Sequence, residues 1–182
     1  MKWRMPKGCC CAIEAGVISA CLSSVCFGAH WRVDAGAPEG DCEPTTDWAY
    51  ACKDLQDVLE NPFIAEKDVI WVAAGTYYPT DTTDRDASFE LVNNVELYGG
   101  FAGTETLLEE RDIVSNLTML SGNIGLPEDD SDNSYHVVVS AWHDADTRID
   151  GFRITHGRAD GALGKGKGGG MLLRTTEAAV VR

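Results

Sequence analysis

The sequence predicts an all-β fold in which short strands stack on one another as successive coils of a solenoid. Three observations lead to this prediction. Short apolar runs alternate with Gly-rich turns and polar connections throughout the chain after residue 62. Strands this short do not bury both faces on their own, so they need strands above and below them. The leading apolar residues Ile70, Val95 and Met119 are spaced by 25 and 24 residues, which is typical of a stacked repeat.

The predicted elements follow one order along the chain. An alternating segment at 30–38 predicts a strand that ends at Pro38. From Asp47 the apolar period becomes that of an amphipathic helix, which Thr46 or Asp47 caps and which ends before Asn61. Its apolar stripe consists of Trp48, Ala51, Cys52, Leu55, Val58 and Leu59. The strands predicted after it span residues 68–78, 88–92, 94–100, 117–122, 135–140, 147–155 and 170–174.

The connections between these strands argue against an antiparallel β-sandwich, which is the alternative fold. Hairpins use turns of about two to five residues, often with Asn-Gly or Asp-Gly. The connections after Tyr78, Gly100 and Gly122 are polar and about ten residues long or longer. Such connections are natural as protrusions from a solenoid, so the sequence favours the stacked arrangement.

Composition and charge narrow the class of protein. The chain has 182 residues, a hydrophobic fraction of 44% and a formal net charge of -14. Its length suits one domain with a substantial core, and its charge repels the phosphates of nucleic acids. The same charge attracts cations, including Ca²⁺. No apolar stretch approaches the roughly 18 residues of a membrane span, so the sequence predicts neither a nucleic-acid partner nor a span.

Residues 1–29 have the layout of a secretory signal peptide: basic residues, an apolar stretch over 9–27 and small residues at its end. We expect cleavage near Ala29 and a protein that is secreted or displayed at the cell surface. A second interpretation takes 18–21 as a lipoprotein signal, so that lipid on Cys21 anchors the mature protein. A third interpretation is a leader without a role in export.

The cysteine positions agree with export. Five of the seven cysteines lie within the predicted leader, which leaves Cys42 and Cys52 in the mature chain. An even pair in an exported protein predicts a disulfide that closes a short loop, and the alternative is two unpaired thiols. The four histidines do not cluster near these cysteines in the sequence, so a zinc site is not predicted.

Several segments carry a resemblance to a known group. The runs IWVAAGTYYPT, VELYGGFAGTET and IDGFRITHGRADG, together with GGGM, resemble the secreted right-handed parallel β-helix proteins of the pectin-lyase-like superfamily. A related Gly-Gly motif occurs in polymorphic outer-membrane proteins. The resemblance covers residues 31–173 and implies a right-handed parallel β-helix. It also implies that the first strand and the amphipathic helix form an N-terminal cap over the first coil.

The resemblance divides the chain into a leader at 1–29, an N-terminal cap at 30–62 and β-helix coils at 63–182. After Met171 the further coils of such proteins are missing from the sequence. The predicted β-helix is therefore incomplete at its C-terminal end, where an open edge remains. Either the chain is a fragment of a longer protein, its reading frame changes near the end, or another subunit covers the edge.

An acidic connection at 127–136 is the predicted metal site. Hard oxygen ligands that suit Ca²⁺ come from Asp129, Asp130, Asp132 and Asn133, which lie within five residues. The segment lacks the spacing of an EF-hand loop. The alternative is a solvated loop whose Asp and Asn side chains make turns. No other cofactor is predicted.

The predicted catalytic pair lies in the strand segment 147–155. Its apolar residues point inward by alternation, and Asp150 and Arg153 then face solvent. Lyases of the superfamily use an arginine or lysine base with Ca²⁺ on the outer face, so the resemblance implies a catalytic role for these two residues. The alternative is an ordinary surface ion pair, because an arginine stays protonated and is a poor base.

Aromatic residues are the last candidate ligand site. Flat aromatic faces on a solenoid bind sugar rings by stacking, or they fill the core and cover turns. The residues concerned are Trp71, Tyr77, Tyr78, Tyr98, Phe101 and Trp142. In the neighbouring polar segment at 80–86, Arg85 is expected to pair with Asp84 or Asp86 rather than leave both carboxylates to a metal.

Taken together, the sequence predicts an exported β-helix module, structural or glycan-binding, without a convincing catalytic site. The expected partner is a polysaccharide or a cell-surface glycan. The alternative function is that of a polysaccharide lyase or glycoside hydrolase whose active site is only partly present in this chain.

Overall fold

A computed structural model describes residues 28–38, 41–141, 146–174 and 180–181, and it confirms a chain built mostly of strands. The predicted leader up to residue 27, with Cys21, lies outside the described residues. Among those described, no helix has the length and apolar character that a membrane span requires. The strands are β1 (His30–Val33), β2 (Val69–Ala73), β3 (Gly75–Tyr77), β4 (Phe89–Glu90), β5 (Glu96–Phe101), β6 (Thr118–Ser121), β7 (Val138–Ala141), β8 (Arg148–Asp150), β9 (Phe152–Thr155), β10 (Met171–Arg174) and β11 (Val180–Val181).

The strands form three sheets, and every pairing between the described strands is parallel. A five-stranded sheet has the order β1-β2-β5-β8-β11. One three-stranded sheet has the order β3-β6-β9, and the other has the order β4-β7-β10. Neighbours in a sheet are therefore distant in sequence, as parallel pairing requires.

Among the described residues, the larger hydrophobic core cluster draws side chains from all three sheets. In the five-stranded sheet, Trp31, Ile70, Leu97 and Ile149 lie opposite one another in register, and each is at most 2% exposed. The other two sheets contribute Phe89, Tyr77, Leu120 and Val138 to the same cluster. The alternating apolar positions of the sequence thus meet in a shared interior.

Two of the predicted strands contain a corner at which the chain changes sheet. Segment 68–78 divides at Ala74 into β2 and β3, and segment 147–155 divides at Gly151 into β8 and β9. Gly151 has a φ of 82°, which favours glycine. A Cβ atom at Gly151 would lie 2.6 Å from the carbonyl oxygen of Gly99, so two glycines allow the backbones to approach closely.

The evenly spaced apolar residues that suggested the repeat are not structurally equivalent. Ile70 lies opposite Leu97, not Val95. Met119 lies in β6 of another sheet, opposite Thr76 and Arg153. The spacing is misleading because the connections between strands differ in length, so equal intervals in sequence do not mark equal positions in the sheets.

The prediction of one amphipathic helix from Asp47 is wrong. A 3₁₀ helix at Trp48–Tyr50 is followed by a separate short helix α1 at Leu55–Leu59. Cys52 leaves the helical path because its N–H donates to the carbonyl of Arg32, and its own carbonyl accepts from Asp34 N–H, each at 2.8 Å. The remaining 3₁₀ helices are Leu108–Glu110 and Asp130–Asp132.

The predicted disulfide between Cys42 and Cys52 is confirmed. Cys52 also forms an isolated parallel bridge with Val33, so the disulfide ties the loop at residues 41–46 to the segment beside β1. Helix α1 begins at its N-cap Asp54, whose carboxylate accepts from Gln56 N–H at 2.9 Å. Its apolar residues are buried against β1 and β4.

Candidate functional site

A groove of about 560 Å³ is lined by residues from α1, from the connection after β3 and from β4. A concave site with converging polar groups is the default position for ligand binding. Its apolar lining includes Leu59, Leu91 and Val92. Its polar lining, which defines the acidic groove, consists of Gln56, Glu60, Thr80, Asp84, Asp86, Ser88 and Glu90.

Local backbone pairing fixes which side chains of β4 face the acidic groove. Phe89 and Leu91 donate their N–H groups to the carbonyls of Val137 and Val139, at 2.8 and 2.9 Å, and their side chains are buried in the core. Ser88 and Glu90 alternate with them and line the groove, to which Leu91 also contributes apolar surface. The groove is a consequence of strand periodicity at this edge.

Carboxylates dominate the electrostatics of the acidic groove. Glu60, Asp84, Asp86 and Glu90 all line it, and among the described residues the ion pair to this set is that of Lys165 with Asp86. Carboxylates accept hydrogen bonds and attract cations, whereas they repel polyanions. Such a lining suits donors such as sugar hydroxyls or ammonium groups.

The structure does not bring the predicted catalytic residues together as an ion pair. Asp150, in β8, pairs with Arg111 at 2.9 Å, and both side chains are largely buried. Arg153 is exposed in β9, opposite Met119. The corner at Gly151 separates the two residues onto different sheets. A catalytic role for either residue stays a prediction, and no local pattern in the sequence marks Arg111 as the partner of Asp150.

On the five-stranded sheet, four side chains that end with Asp150 lie opposite one another on neighbouring strands. Arg32, Trp71, Tyr98 and Asp150 occupy successive register positions in β1, β2, β5 and β8. The Arg32 guanidinium lies 3.9 Å from the centre of the Trp71 ring, which is a cation–π contact. Burial lowers the pKa of Arg32 to about 10. Alternation within each strand could have predicted that these residues share the same face of the sheet. It could not have predicted which residue of one strand lies opposite which residue of the next.

Most of the predicted aromatic ligand residues are not available to a sugar. Trp71, Tyr77, Tyr98 and Phe101 are all buried, and Trp71 stacks on Phe101 with ring centres 4.5 Å apart. Tyr78 is 43% exposed and remains accessible. Trp142 lies outside the described residues. The buried aromatic residues therefore fill the protein interior, which is the alternative to sugar binding in the prediction from sequence.

The four residues of the predicted calcium site form hydrogen bonds within their own connection. Asp129 accepts from Ser131 N–H at 2.8 Å, and Asp132 accepts from Leu126 N–H at 2.7 Å. Hydrogen bonds from the side chain and then the N–H of Ser131 lower the pKa of the Asp129 carboxyl. Asp130 accepts from the Asn133 amide at 3.3 Å. The structure does not gather the three carboxylates within 4.8 Å of one another. Calcium binding stays a prediction.

The described residues with metal-compatible spacing are Cys42, Cys52 and Asp57. Both sulfur atoms of this group belong to the disulfide, so they are not thiolates and do not ligate a metal in this state. The cluster therefore reflects the disulfide.

Arg85 cross-links three connections instead of pairing with its sequence neighbours. Its guanidinium donates to the carbonyl of Asn133 and pairs with Asp160, both at 2.7 Å, and it lies 4.1 Å from the centre of the Tyr135 ring. The expected pairing with Asp84 or Asp86 is thus wrong, because strand stacking brings distant connections side by side.

Comparison of the chain with models of protein families, with curated proteins and with solved structures gave no match in any of the three.

Proposed function

We propose that the three parallel sheets are the faces of a right-handed parallel β-helix, and that the chain belongs with the pectin-lyase-like proteins that its motifs resemble. The observation that supports this is the order of the strands. From β2 to β11 the chain passes from the five-stranded sheet to the β3 sheet, then to the β4 sheet, and then repeats this order. A chain that winds in coils of three strands produces that order.

We further propose that the protein is an exported surface module that binds a glycan in the acidic groove. The observation that carries this proposal is the groove of about 560 Å³, in which carboxylate, hydroxyl and amide groups converge beside an apolar wall. Sugar rings offer hydroxyl donors on their edges and apolar faces, so they match such a lining. The disulfide between Cys42 and Cys52 is compatible with an oxidising compartment.

The charge of the acidic groove restricts the class of glycan. Four carboxylates face the ligand on a chain with a net charge of -14, so polymers of uronic acids are repelled. The expected ligand is a neutral or amino-sugar polysaccharide. We do not extend the proposal to catalysis, because Asp150 and Arg153 lie on different sheets.

Binding can be measured by isothermal calorimetry with a neutral glucan oligomer, a chitosan oligomer and an oligogalacturonate. We expect binding of the neutral or cationic oligomer and weak or undetectable binding of the anionic one. Glu90→Gln should lower the affinity for the chitosan oligomer more than the affinity for the other two oligomers, because it removes a negative charge from the groove. Glu109→Gln is the matched control, since Glu109 is exposed and does not line the groove.

Two results would contradict the proposal. One is the absence of binding to all three oligomers on a folded protein. The other is tight binding that Glu90→Gln and Glu109→Gln affect equally, because the ligand would then lie elsewhere.

A further inference from the structure

The backbone nitrogen of Ala29 lies against a buried carboxylate. It donates a hydrogen bond to Asp68 Oδ1 at 2.7 Å. Asp68 is 3% exposed, and its other oxygen accepts from Trp31 Nε1 at 2.9 Å and from Ala65 N–H at 3.1 Å. Within the described part of the chain, no Lys or Arg side chain forms an ion pair with Asp68. The carboxylate therefore meets three neutral donors and no cation.

The residues just before Ala29 match the end of a signal peptide. Cys26, Phe27 and Gly28 form a small-x-small triplet directly after the apolar stretch, as signal peptidase cleavage requires. In the uncut chain Gly28 lies so close to Lys67 that a Cβ atom would overlap the Lys67 carbonyl group. The triplet places the cut at the bond between Gly28 and Ala29, and the close approach of Gly28 to Lys67 shows that position 28 accommodates only glycine in the folded chain.

We infer that a signal peptidase hydrolyses the Gly28–Ala29 bond and that the new amino terminus of Ala29 forms a buried ion pair with Asp68. Water supplies the hydroxyl that completes the Gly28 carboxyl group and the hydrogen that completes the Ala29 amine. The amine then takes one proton from solvent and becomes an ammonium group. The inference rests on the export part of the proposed function.

The position of the cut can be tested by intact-mass measurement of protein exported from a bacterial host. Ala29→Gly should change the mass of the mature chain, whereas Gly28→Ala should leave it identical to the wild type. Neither substitution would change the mass if the cut followed Ala29, and that result overturns the inference alone. If both substitutions change the mass of a full-length product, export itself fails.

The ion pair can be tested on a chain that starts at Ala29. Charge-assisted hydrogen bonds are stronger than neutral ones, so acetylation of the Ala29 amine should lower the folding equilibrium constant about tenfold. In Asp68→Asn the penalty of acetylation should disappear, even though this variant is itself less stable. An equal penalty in both backgrounds, or no penalty in the wild type, overturns the inference.

A pH profile keeps the test decisive if Asp68→Asn does not fold. The amine has an ordinary pKa of about 7.7–8.0, which an ion pair with Asp68 raises in the folded state. The contribution of the ion pair to folding stability is therefore complete below about pH 8. It is lost as the pH rises through the raised pKa of the amine in the folded state. His30, Arg32 and Lys67 are the other charged or titratable groups nearby, and they are common to the acetylated control. Identical alkaline profiles for both chains overturn the inference.

Discussion

The two ends of the stacked strands differ in how they are covered. At the N-terminal end, α1 and the disulfide-linked segment lie beside β1, and Trp31, Leu55 and Val58 are at most 1% exposed. At the C-terminal end, Phe152, Ile154 and Met171 pack on the same core but remain only partly buried. Apolar character is similar at both ends, so sequence alone does not explain the difference.

Burial of a strand in this protein depends on whether a neighbouring strand or segment packs on it, as α1 does on β1 and β4. The N-terminal end, where α1 and the disulfide-linked segment lie beside β1, should therefore be the more stable one. Strand β9, which lies at the edge of its sheet, should open before β2 and β5.

Removing a core side chain of α1 should have the largest effect. Leu55 is fully buried, so Leu55→Ala should lower the free energy of unfolding by about 2–5 kcal/mol. The control is Leu173→Ala in β10, where the side chain is 47% exposed and the loss should be under about 1 kcal/mol. Urea unfolding followed by circular dichroism measures both, and equal losses would contradict the difference between the ends.

Loss of the disulfide should come second. Cys42 and Cys52 are separated by 10 residues, and for a loop of this length the chain-entropy model gives about 2–3 kcal/mol. The double substitution Cys42→Ser with Cys52→Ser should lower stability by that amount. The rate of amide hydrogen exchange should increase in β1 and should stay the same in β9. Uniformly faster exchange would show that the disulfide stabilises the whole chain and does not act at one end.

The ion pair of Asp150 with Arg111 should have a smaller effect. Asp150→Asn leaves the partly buried Arg111 without its partner and should cost about 1–3 kcal/mol in thermal or urea unfolding. Arg158→Gln removes a more exposed pair with Asp160 and should leave stability nearly unchanged. A larger loss in Arg158→Gln would mean that the connections, and not the sheets, hold this part of the chain together.

Titration of Asp160 should give the smallest effect. The Arg85 guanidinium, with a further contribution from Arg158, lowers the pKa of the Asp160 carboxyl below its ordinary value. The contribution of ionised Asp160 to folding stability is therefore present at pH values above the ordinary pKa of an aspartate. It is lost as the pH falls through the lowered pKa of Asp160 in the folded protein. In Arg85→Gln, the pKa of Asp160 measured by NMR should rise, and in the control Arg153→Gln it should not. No change in either variant would rule out the contact between the connections.

The positions of the strands could be predicted from the sequence because local alternation determines which residues are buried. Each of the seven predicted strand segments after α1 overlaps at least one observed strand. Corners were harder to predict. Ala74 carries no special signal, although the φ of Gly151 agrees with its being a glycine.

Contacts between distant residues could not be predicted. Cys52 continued a helical stripe in the sequence, but its hydrogen bonds to Arg32 and Asp34 remove it from any helix. Arg111 lies in a connection without periodicity, so nothing local marks it as the partner of Asp150. The acidic groove likewise combines α1 with segments that follow β3, and its existence depends on the register of the sheets.

The contact between Gly99 and Gly151 restricts how the chain can vary in length. Here two backbones touch with no side chain between them, so an inserted residue would push a Cβ atom or a shifted carbonyl into the opposite strand. The exposed stretches of the connection at 102–117, and the part of the connection at 156–170 around Gly164, have no such restriction. Natural insertions and deletions in related chains should therefore fall in those connections. The strands that contain Gly99 and Gly151 should keep their length.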